Sequence, residues 1–216
     1  MTLAKICGVT TPDVIQAADE AGAAFIGLVA FERSPRHLSV EAMTALLEEA
    51  GRPVPIVVLT VNADDTLLTE IRDRVRPEFI QLHGDETPAR AAEVRSLTRA
   101  GIIRALPVAS AADLVSARAW SRSADHLLFD ARPPEGADRP GGLGAVFDWR
   151  LMAGLRLSRP WFLAGGMTPA NVSDALEITG APMVDVSSGV ESAPGVKDIA
   201  LIKSFLDQVQ TVSPRQ

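Results

Sequence analysis

Short apolar runs alternate with longer amphipathic stretches along the whole chain. The runs are continuously apolar, which is typical of strands covered on both faces. Eight can be counted, and we predict a strand at each: Leu3–Ile6, Ala24–Val29, Pro55–Val61, Phe79–Gly84, Ile102–Val108, His126–Ala131, Trp161–Gly166 and Pro182–Gly189. The stretches between them place apolar residues at helical spacing, as in Asp64–Arg74.

This alternation predicts an α/β fold with a parallel sheet and crossover helices. Eight units in 216 residues favour a single closed (β/α)8 TIM barrel over an open doubly wound sheet, which the same alternation also allows. We expect one barrel domain over residues 1–210 and a frayed tail over 211–216.

Helical segments are also predicted after the fifth and sixth strands. A helix is predicted over Ala111–Ser121, with Leu114, Val115 and Ala119 facing inward. The sixth strand leads into a loop rich in Pro and Gly, 131–146, which is either a lid or a tolerated insertion. A short helix is then expected near 148–155.

Composition narrows the class of partner. The net charge is −6 and the basic residues are scattered, which argues against nucleic acid. No apolar stretch reaches the roughly 20 residues that span a bilayer, and no signal-peptide core follows the first residues. With Cys7 as the single cysteine there is no internal disulfide. We expect a cytoplasmic protein that acts on a small molecule, without membrane or nucleic-acid partners.

In a barrel, the chemistry belongs at the carboxyl ends of the strands. Cys7 ends the first strand, where it is either core filling or a reactive thiol. A thiolate there would need a nearby cation or a helix N-terminus. Asp130 ends the sixth strand, and because the next helix starts much later, a site role is favoured over helix capping.

Two further candidates are ambiguous from the sequence. Arg36, in "FERSPRHLS", is either a clamp for a substrate carboxylate or a surface arginine paired with a local acid. His83, in "QLHG", is either a ligand contact or a structural imidazole. The histidines lie far apart and lack metal-ligand spacing.

The last two strands end in glycine and serine. In TIM barrels the loops after the seventh and eighth strands often bind phosphate, because glycines allow close approach of backbone N–H groups. The predicted phosphate-binding residues are Gly165, Gly166, Ser187, Ser188 and Gly189.

Several strings together resemble the phosphoribosylanthranilate isomerase family of tryptophan biosynthesis. They are "KICGVT", "SPRHLS", "FIQLHGDE", "LLFDA", "GGLGAVFDW", "LAGGMTPANV" and "VDVSSGVESAPGVKD", in this order. The resemblance implies a (β/α)8 barrel that converts N-(5-phosphoribosyl)anthranilate into 1-(2-carboxyphenylamino)-1-deoxyribulose 5-phosphate by an Amadori rearrangement. It implies no metal or organic cofactor, a phosphosugar as substrate, and a monomer or a homodimer.

The resemblance also implies residue roles. Cys7 matches the general base and Asp130 the general acid. Arg36 matches the arginine that holds the anthranilate carboxylate, and Asp185 a carboxylate that contacts substrate. We group His83 with these substrate-binding residues.

The chain departs from the family pattern at Leu143, where "GGLG" replaces the usual "GGTG", and in the second loop, "LVAFERSPR". Three alternatives stay open. One is a histidine-pathway or dual-substrate aminoaldose isomerase, whose members use paired aspartates. The second is a non-catalytic phosphate-binding barrel. The third, a redox role for Cys7, lacks a partner cysteine.

Overall fold

The computed structural model describes residues 1–120, 122–132, 136, 141, 144 and 147–212. Eight parallel strands close into one barrel, each pairing with the next along the chain and β8 with β1, which confirms the predicted (β/α)8 fold. The strands are β1 Leu3–Cys7, β2 Phe25–Ala30, β3 Ile56–Thr60, β4 Phe79–Leu82, β5 Gly101–Val108, β6 His126–Ala131, β7 Trp161–Leu163 and β8 Met183–Val186.

In the described part of the chain, six α-helices cover the outside of the barrel. They are α1 Pro12–Glu20, α2 Val40–Ala50, α3 Asp65–Glu70, α4 Pro88–Thr98, α5 Val172–Thr179 and α6 Ile199–Thr211. α3 continues into a π-helical turn over Ile71–Val75. Side-chain oxygens of Ser39, Asp64 and Thr87 accept hydrogen bonds from the first turns of α2, α3 and α4, as expected of N-cap residues. None of the described helices is long and apolar enough to cross a membrane.

The inward face predicted between β5 and β6 is confirmed at Leu114, which packs against the core, and is wrong at Val115 and Ala119. Ala111–Trp120 forms a 3-10 helix, and Val115 and Ala119 are exposed, whereas Ala117 and Trp120 are buried. The physical reason is the helical period, because a 3-10 helix has about three residues per turn and therefore aligns positions 114, 117 and 120.

In the connection between β6 and β7, the described residues form no α-helix. A 3-10 turn over Trp149–Met152 stands where the short helix was expected, with Asp148 capping it. Most of the loop 131–146, including Leu143 of the "GGLG" string, lies outside the described residues. The same holds for 213–216 of the predicted tail, whereas Thr211 is the last residue of α6.

Side chains alternate between the barrel interior and the helical layer. In β6, Leu127 and Phe129 pack against the helices, while Leu128 points into the barrel. The interior cluster comprises Phe25, Val57, Ile103, Ala105, Leu128, Phe162, Ala164 and Met183. This cluster forms an apolar floor inside the barrel. Polar residues occupy the interior positions nearer the carboxyl ends of the strands.

A β-hairpin that the sequence pattern did not predict follows β8. β9 Glu191–Ala193 pairs antiparallel with β10 Val196–Lys197. At the turn, a Cβ on Gly195 would lie 2.5 Å from the Pro35 carbonyl oxygen, so only glycine allows this approach. The hairpin is therefore held against the loop that follows β2.

His126 lies in the aromatic floor of the barrel. Its ring packs edge-on against Phe25 and Phe79, with centroids 6.4 and 5.0 Å away. Burial lowers the pKa of His126, and the neighbouring Asp125 carboxylate opposes this only in part. The folded state therefore binds this proton less readily than the unfolded state does.

His126→Phe should reduce the acid sensitivity of the fold. Because the pKa of His126 is lowered on folding, its contribution to the free energy of unfolding falls as the pH drops below about 6.5 and is absent above that value. We expect the loss of unfolding free energy between about pH 8 and about pH 5 to be smaller in His126→Phe than in wild type, as measured by urea denaturation. Equal losses would contradict this account.

Candidate active site

A pocket opens at the carboxyl ends of the strands, where a TIM barrel is expected to place its chemistry. Its strand-borne wall comes from alternate positions, so that pairs two residues apart face the pocket together. Among its lining residues are Cys7, Val29, Arg36, Leu59, Val61, Gln81, His83, Asp130, Gly141, Gly144, Gly165, Gly166, Asp185, Ser187 and Ser188.

Cys7 ends β1 and lies beside Gly27 of β2, its register partner. A Cβ on Gly27 would come within 2.8 Å of the Cys7 sulfur, so the absence of a side chain makes room for the thiol. Cys7 is only 4% exposed, yet it lines the pocket. It is thus enclosed by protein on most sides and accessible only from the site.

Lys5 lies beneath Cys7 and is fully buried. Its ammonium donates a hydrogen bond to Gln81 Oε1, lies 3.3 Å from Asp185 Oδ1 and sits 5.6 Å from the Phe162 ring centroid. Asp185 Oδ1 nevertheless accepts no hydrogen bond from the described residues. A buried charge is tolerated when it is paired, and here strands β4 and β8 supply the polar partners.

Asp130 and His83 face each other across the pocket wall. The His83 Nε2 atom lies 3.5 Å from Asp130 Oδ2, and Asp130 Oδ1 accepts a hydrogen bond from the Ala131 backbone at 2.8 Å. A Cβ on Gly141 would lie 2.6 Å from His83 Nε2 and 2.7 Å from Asp130 Oδ2. The backbone at Gly141 therefore covers this pair closely.

Arg36 is buried rather than superficial. Its Nε and Nη2 atoms donate to the two carboxylate oxygens of Glu191, at 2.6 and 2.8 Å. Lys197 also donates to Glu191, at 2.6 Å, and to the Ser187 backbone oxygen, at 2.9 Å. Arg36 thus has an acidic partner, as one of the two sequence interpretations held, but this partner is distant in sequence and Arg36 lines the pocket.

The predicted phosphate-binding residues lie on two neighbouring loops. Gly165, Gly166, Ser187 and Ser188 line the pocket. Gly189 is required for packing, because a Cβ there would lie 1.8 Å from the Met167 carbonyl oxygen. The structure therefore brings the two glycine- and serine-containing strand ends together on one side of the pocket.

Four charged or polar residues of the site were missed from the sequence: Lys5, Gln81, Glu191 and Lys197. Strand periodicity could have revealed the first two, because Lys5 lies two positions before Cys7, and Gln81 two before His83, on the same face. The two hairpin residues carry no such signal. Among the described residues, no group of three or more His, Cys, Asp or Glu side chains is arranged to hold a metal ion.

Comparison with known proteins identifies the family. The family model described as N-(5'-phosphoribosyl)anthranilate (PRA) isomerase matches residues 4–208. This chain belongs to the PRA isomerase family. Its activity is the isomerisation of N-(5'-phosphoribosyl)anthranilate, a step of tryptophan biosynthesis.

Individual relatives agree with this assignment. An N-(5'-phosphoribosyl)anthranilate isomerase of Caulobacter vibrioides is 50% identical over 96% of this chain and 95% of its own length. The crystal structure of the Thermotoga maritima enzyme superimposes with a TM-score of 0.87 at 32% identity, over 97% of this chain and 99% of the other. A PRA isomerase complex with reduced 1-(o-carboxyphenylamino)-1-deoxyribulose 5-phosphate has a TM-score of 0.82 at 29% identity, with 97% and 99% covered.

Burial and the nearby cations have opposite effects on the pKa of the Cys7 thiol. Burial raises the pKa of the Cys7 thiol and outweighs the nearby Lys5, Lys197 and Arg36 charges, which lower it; the Asp185 carboxylate adds to the rise. Burial likewise raises the pKa of Asp185 against the effect of Lys5. The resting form of Cys7 is therefore the thiol, surrounded by cations that favour the thiolate.

Ultraviolet titration should show this directly. Cys7 is the single cysteine and the chain has no tyrosine, so the ultraviolet absorbance of the thiolate reports one group. We expect the absorbance to rise only above the usual cysteine range, because burial raises the pKa of Cys7. Cys7→Ser should abolish the step, and thiolate absorbance in the wild type at neutral pH would contradict the prediction.

Proposed function

We propose that Cys7 is the general base and Asp130 the general acid of the PRA isomerase reaction in this chain. The supporting observation is that a buried thiol surrounded by cations, at the end of β1, and a carboxyl group, at the end of β6, line one pocket. These strands are not neighbours in the barrel, so the two groups can approach a sugar from different directions.

The reaction needs one proton donated and one removed. Asp130 gives its proton to the ribose ring oxygen as the C1–O bond breaks, and the anthranilate nitrogen lone pair forms the C1=N iminium. With the cationic iminium beside it, the Cys7 thiol releases its proton to solvent, and the resulting thiolate takes the proton from C2. The electron pair of that C–H bond forms the C1=C2 bond, the C1=N pair returns to nitrogen, and the enolamine tautomerises to the ketose. The positive iminium adds to the cations that favour the thiolate.

The rest of the pocket suits the two ends of the substrate. Arg36 lines the pocket and binds the anthranilate carboxylate, while Glu191 holds the guanidinium by accepting hydrogen bonds from its Nε and Nη2 atoms. Gly165, Gly166, Ser187 and Ser188 bind the phosphate, with Gly189 closing the packing of that loop. The buried ammonium of Lys197, bonded to the Ser187 backbone, contributes positive charge beside them.

Asp185 and His83 lie between these ends. Asp185 lines the pocket with a side chain that is 10% exposed, which fits a contact with a ribose hydroxyl. His83 lines the pocket beside Asp130, where the ring oxygen is protonated.

We also propose a cellular compartment and an oligomeric state for the enzyme. The enzyme acts in the cytoplasm, where tryptophan precursors are made, and it exists as a monomer or a homodimer. The Thermotoga maritima PRA isomerase is described as dimeric. A solved structure of monomers generated from it is 29% identical to this chain. Light scattering after gel filtration decides between the two states.

Removing either proton-transfer group should abolish most of the turnover. Cys7→Ala and Asp130→Ala should each lower kcat by at least about 10²-fold, since one general acid or base supplies about 10²–10⁴-fold. The decrease in substrate fluorescence measures the rate, and circular dichroism checks that each variant folds.

The matched control for Asp130 is Asp207→Asn, an exposed carboxyl on α6 remote from the pocket. The histidine-pathway aminoaldose serves as a second substrate for all variants. Near-wild-type kcat in Cys7→Ala or Asp130→Ala would remove that residue from the mechanism. Turnover of the aminoaldose by wild type would instead favour the dual-substrate alternative.

Glu191→Gln should weaken substrate binding more than it slows the chemistry. Glu191 holds Arg36 by two hydrogen bonds, and these bonds together with those from Lys197 outweigh burial to lower the pKa of the Glu191 carboxyl. We expect KM to rise about tenfold, equivalent to roughly 1.4 kcal/mol, with a smaller change in kcat. Glu177→Gln, an exposed change on α5, is the control. A lower kcat at unchanged KM would contradict the positioning of Arg36 by Glu191.

A further inference from the structure

Four polar side chains form a continuous line across the barrel interior. Lys5 on β1 contacts Gln81 on β4, Gln81 contacts His83 after β4, and His83 faces Asp130 on β6. Lys5 and Gln81 are both fully buried, so bulk water does not compete for these contacts. The line joins the buried ammonium at the barrel centre to the proposed general acid.

The chemistry of the donors sets the direction of every contact in this line. A lysine ammonium only donates, so the Gln81 atom that faces Lys5 is the amide oxygen. The Gln81 amide nitrogen then faces His83 Nδ1, at 3.2 Å. An amide nitrogen also only donates, so Nδ1 must accept and carries no proton.

The other ring nitrogen must therefore carry the proton of a neutral imidazole. That nitrogen, Nε2, is the atom 3.5 Å from Asp130 Oδ2. The distance is long for a hydrogen bond, but catalytic contacts often shorten when substrate binds. The close approach of Gly141 to both His83 Nε2 and Asp130 Oδ2 leaves little room for either group to turn away.

We propose that His83 is a positioning residue for Asp130, held by Lys5 and Gln81 as the neutral Nε2–H tautomer. The proposal rests on the role of Asp130 as the general acid. When Asp130 has given its proton to the ring oxygen, its carboxylate accepts hydrogen bonds from His83 Nε2–H and from the Ala131 backbone N–H. His83 keeps its proton throughout, so the balance of the reaction is unchanged.

Gln81→Glu tests the tautomer. Glutamate keeps an acceptor for Lys5, so the buried ammonium retains a partner and the fold is preserved. Its second oxygen replaces the amide donor and demands a proton on His83 Nδ1. Long-range ¹⁵N NMR of labelled resting enzyme reads the protonation of both ring nitrogens, and His83→Gln identifies the His83 signals by their loss.

We expect a protonated Nε2 and a bare Nδ1 at His83 in wild type, and a protonated Nδ1 in Gln81→Glu, with kcat lowered by about 10- to 100-fold. A protonated Nδ1 at His83 in wild type would overturn the proposal. So would an unchanged kcat in a Gln81→Glu variant that shows the altered tautomer.

A second pair of variants tests which ring nitrogen matters. The amide nitrogen of Gln reaches the place of Nε2, whereas that of Asn reaches only the place of Nδ1. We expect His83→Gln to retain more kcat than His83→Asn by about tenfold, with similar KM for both. Equal kcat values, or a difference confined to KM, would overturn the positioning role.

The tautomer measurement needs no turnover, so the two proposals can fail separately. If Asp130→Ala stays active while the NMR shows the Nε2–H form, the role of Asp130 fails and the hydrogen-bond line stands. If Asp130→Ala is inactive and wild type shows the Nδ1–H form, the reverse holds.

Discussion

The burial of the Lys5 ammonium is the constraint on which the active-site end of this barrel depends. A fully buried charge must be paired, and removing one partner of such a pair commonly costs about 3–5 kcal/mol. Lys5 therefore commits Gln81 and Asp185 to fixed positions on β4 and β8. β1 and β8 pair directly, whereas β4 shares no backbone hydrogen bonds with either strand, so the ammonium also ties β4 to a distant part of the barrel wall.

A second charged cluster, formed by Arg36, Glu191 and Lys197, lies outside the eight barrel strands. Glu191 accepts from both Arg36 and Lys197, so one carboxylate holds two cations beside a pocket that must receive a phosphate and a carboxylate. The mutual repulsion between the Arg36 and Lys197 cations is offset by the Glu191 carboxylate that lies between them. The β9–β10 hairpin can pack against the loop that follows β2 because Gly195, which has no Cβ, allows close approach to Pro35.

The barrel interior separates stability from chemistry along its axis. Aromatic rings and His126 fill the floor, Lys5 with its partners forms the middle, and Cys7, His83 and Asp130 line the mouth. In the floor, the middle and the mouth of the barrel alike, alternate strand residues point inward. The polar groups at the mouth are therefore supported from below by packed apolar side chains. This support limits their motion and suits proton transfers that depend on distance.

Much of this arrangement could be predicted because it is local in sequence. Continuous apolar runs, helical spacing and the residues at strand ends predicted eight units, Cys7, Asp130 and the glycine-rich loops. Local patterns failed where the helical period changed, as between β5 and β6, since a 3-10 helix turns a different set of residues inward. They also predicted neither the hairpin nor the pairing of Arg36 with Glu191, which lies 155 positions away.

The amino-acid sequence by itself therefore determined the class of fold, the strand ends and the family, because these follow from periodicity and short strings. Only the tertiary structure decided which charges meet, that Cys7 rests as a buried thiol among three cations, and which nitrogen of His83 faces Asp130. Closing a barrel brings residues from distant strands into contact, and the energy of a buried charge depends on those neighbours rather than on its position in the chain.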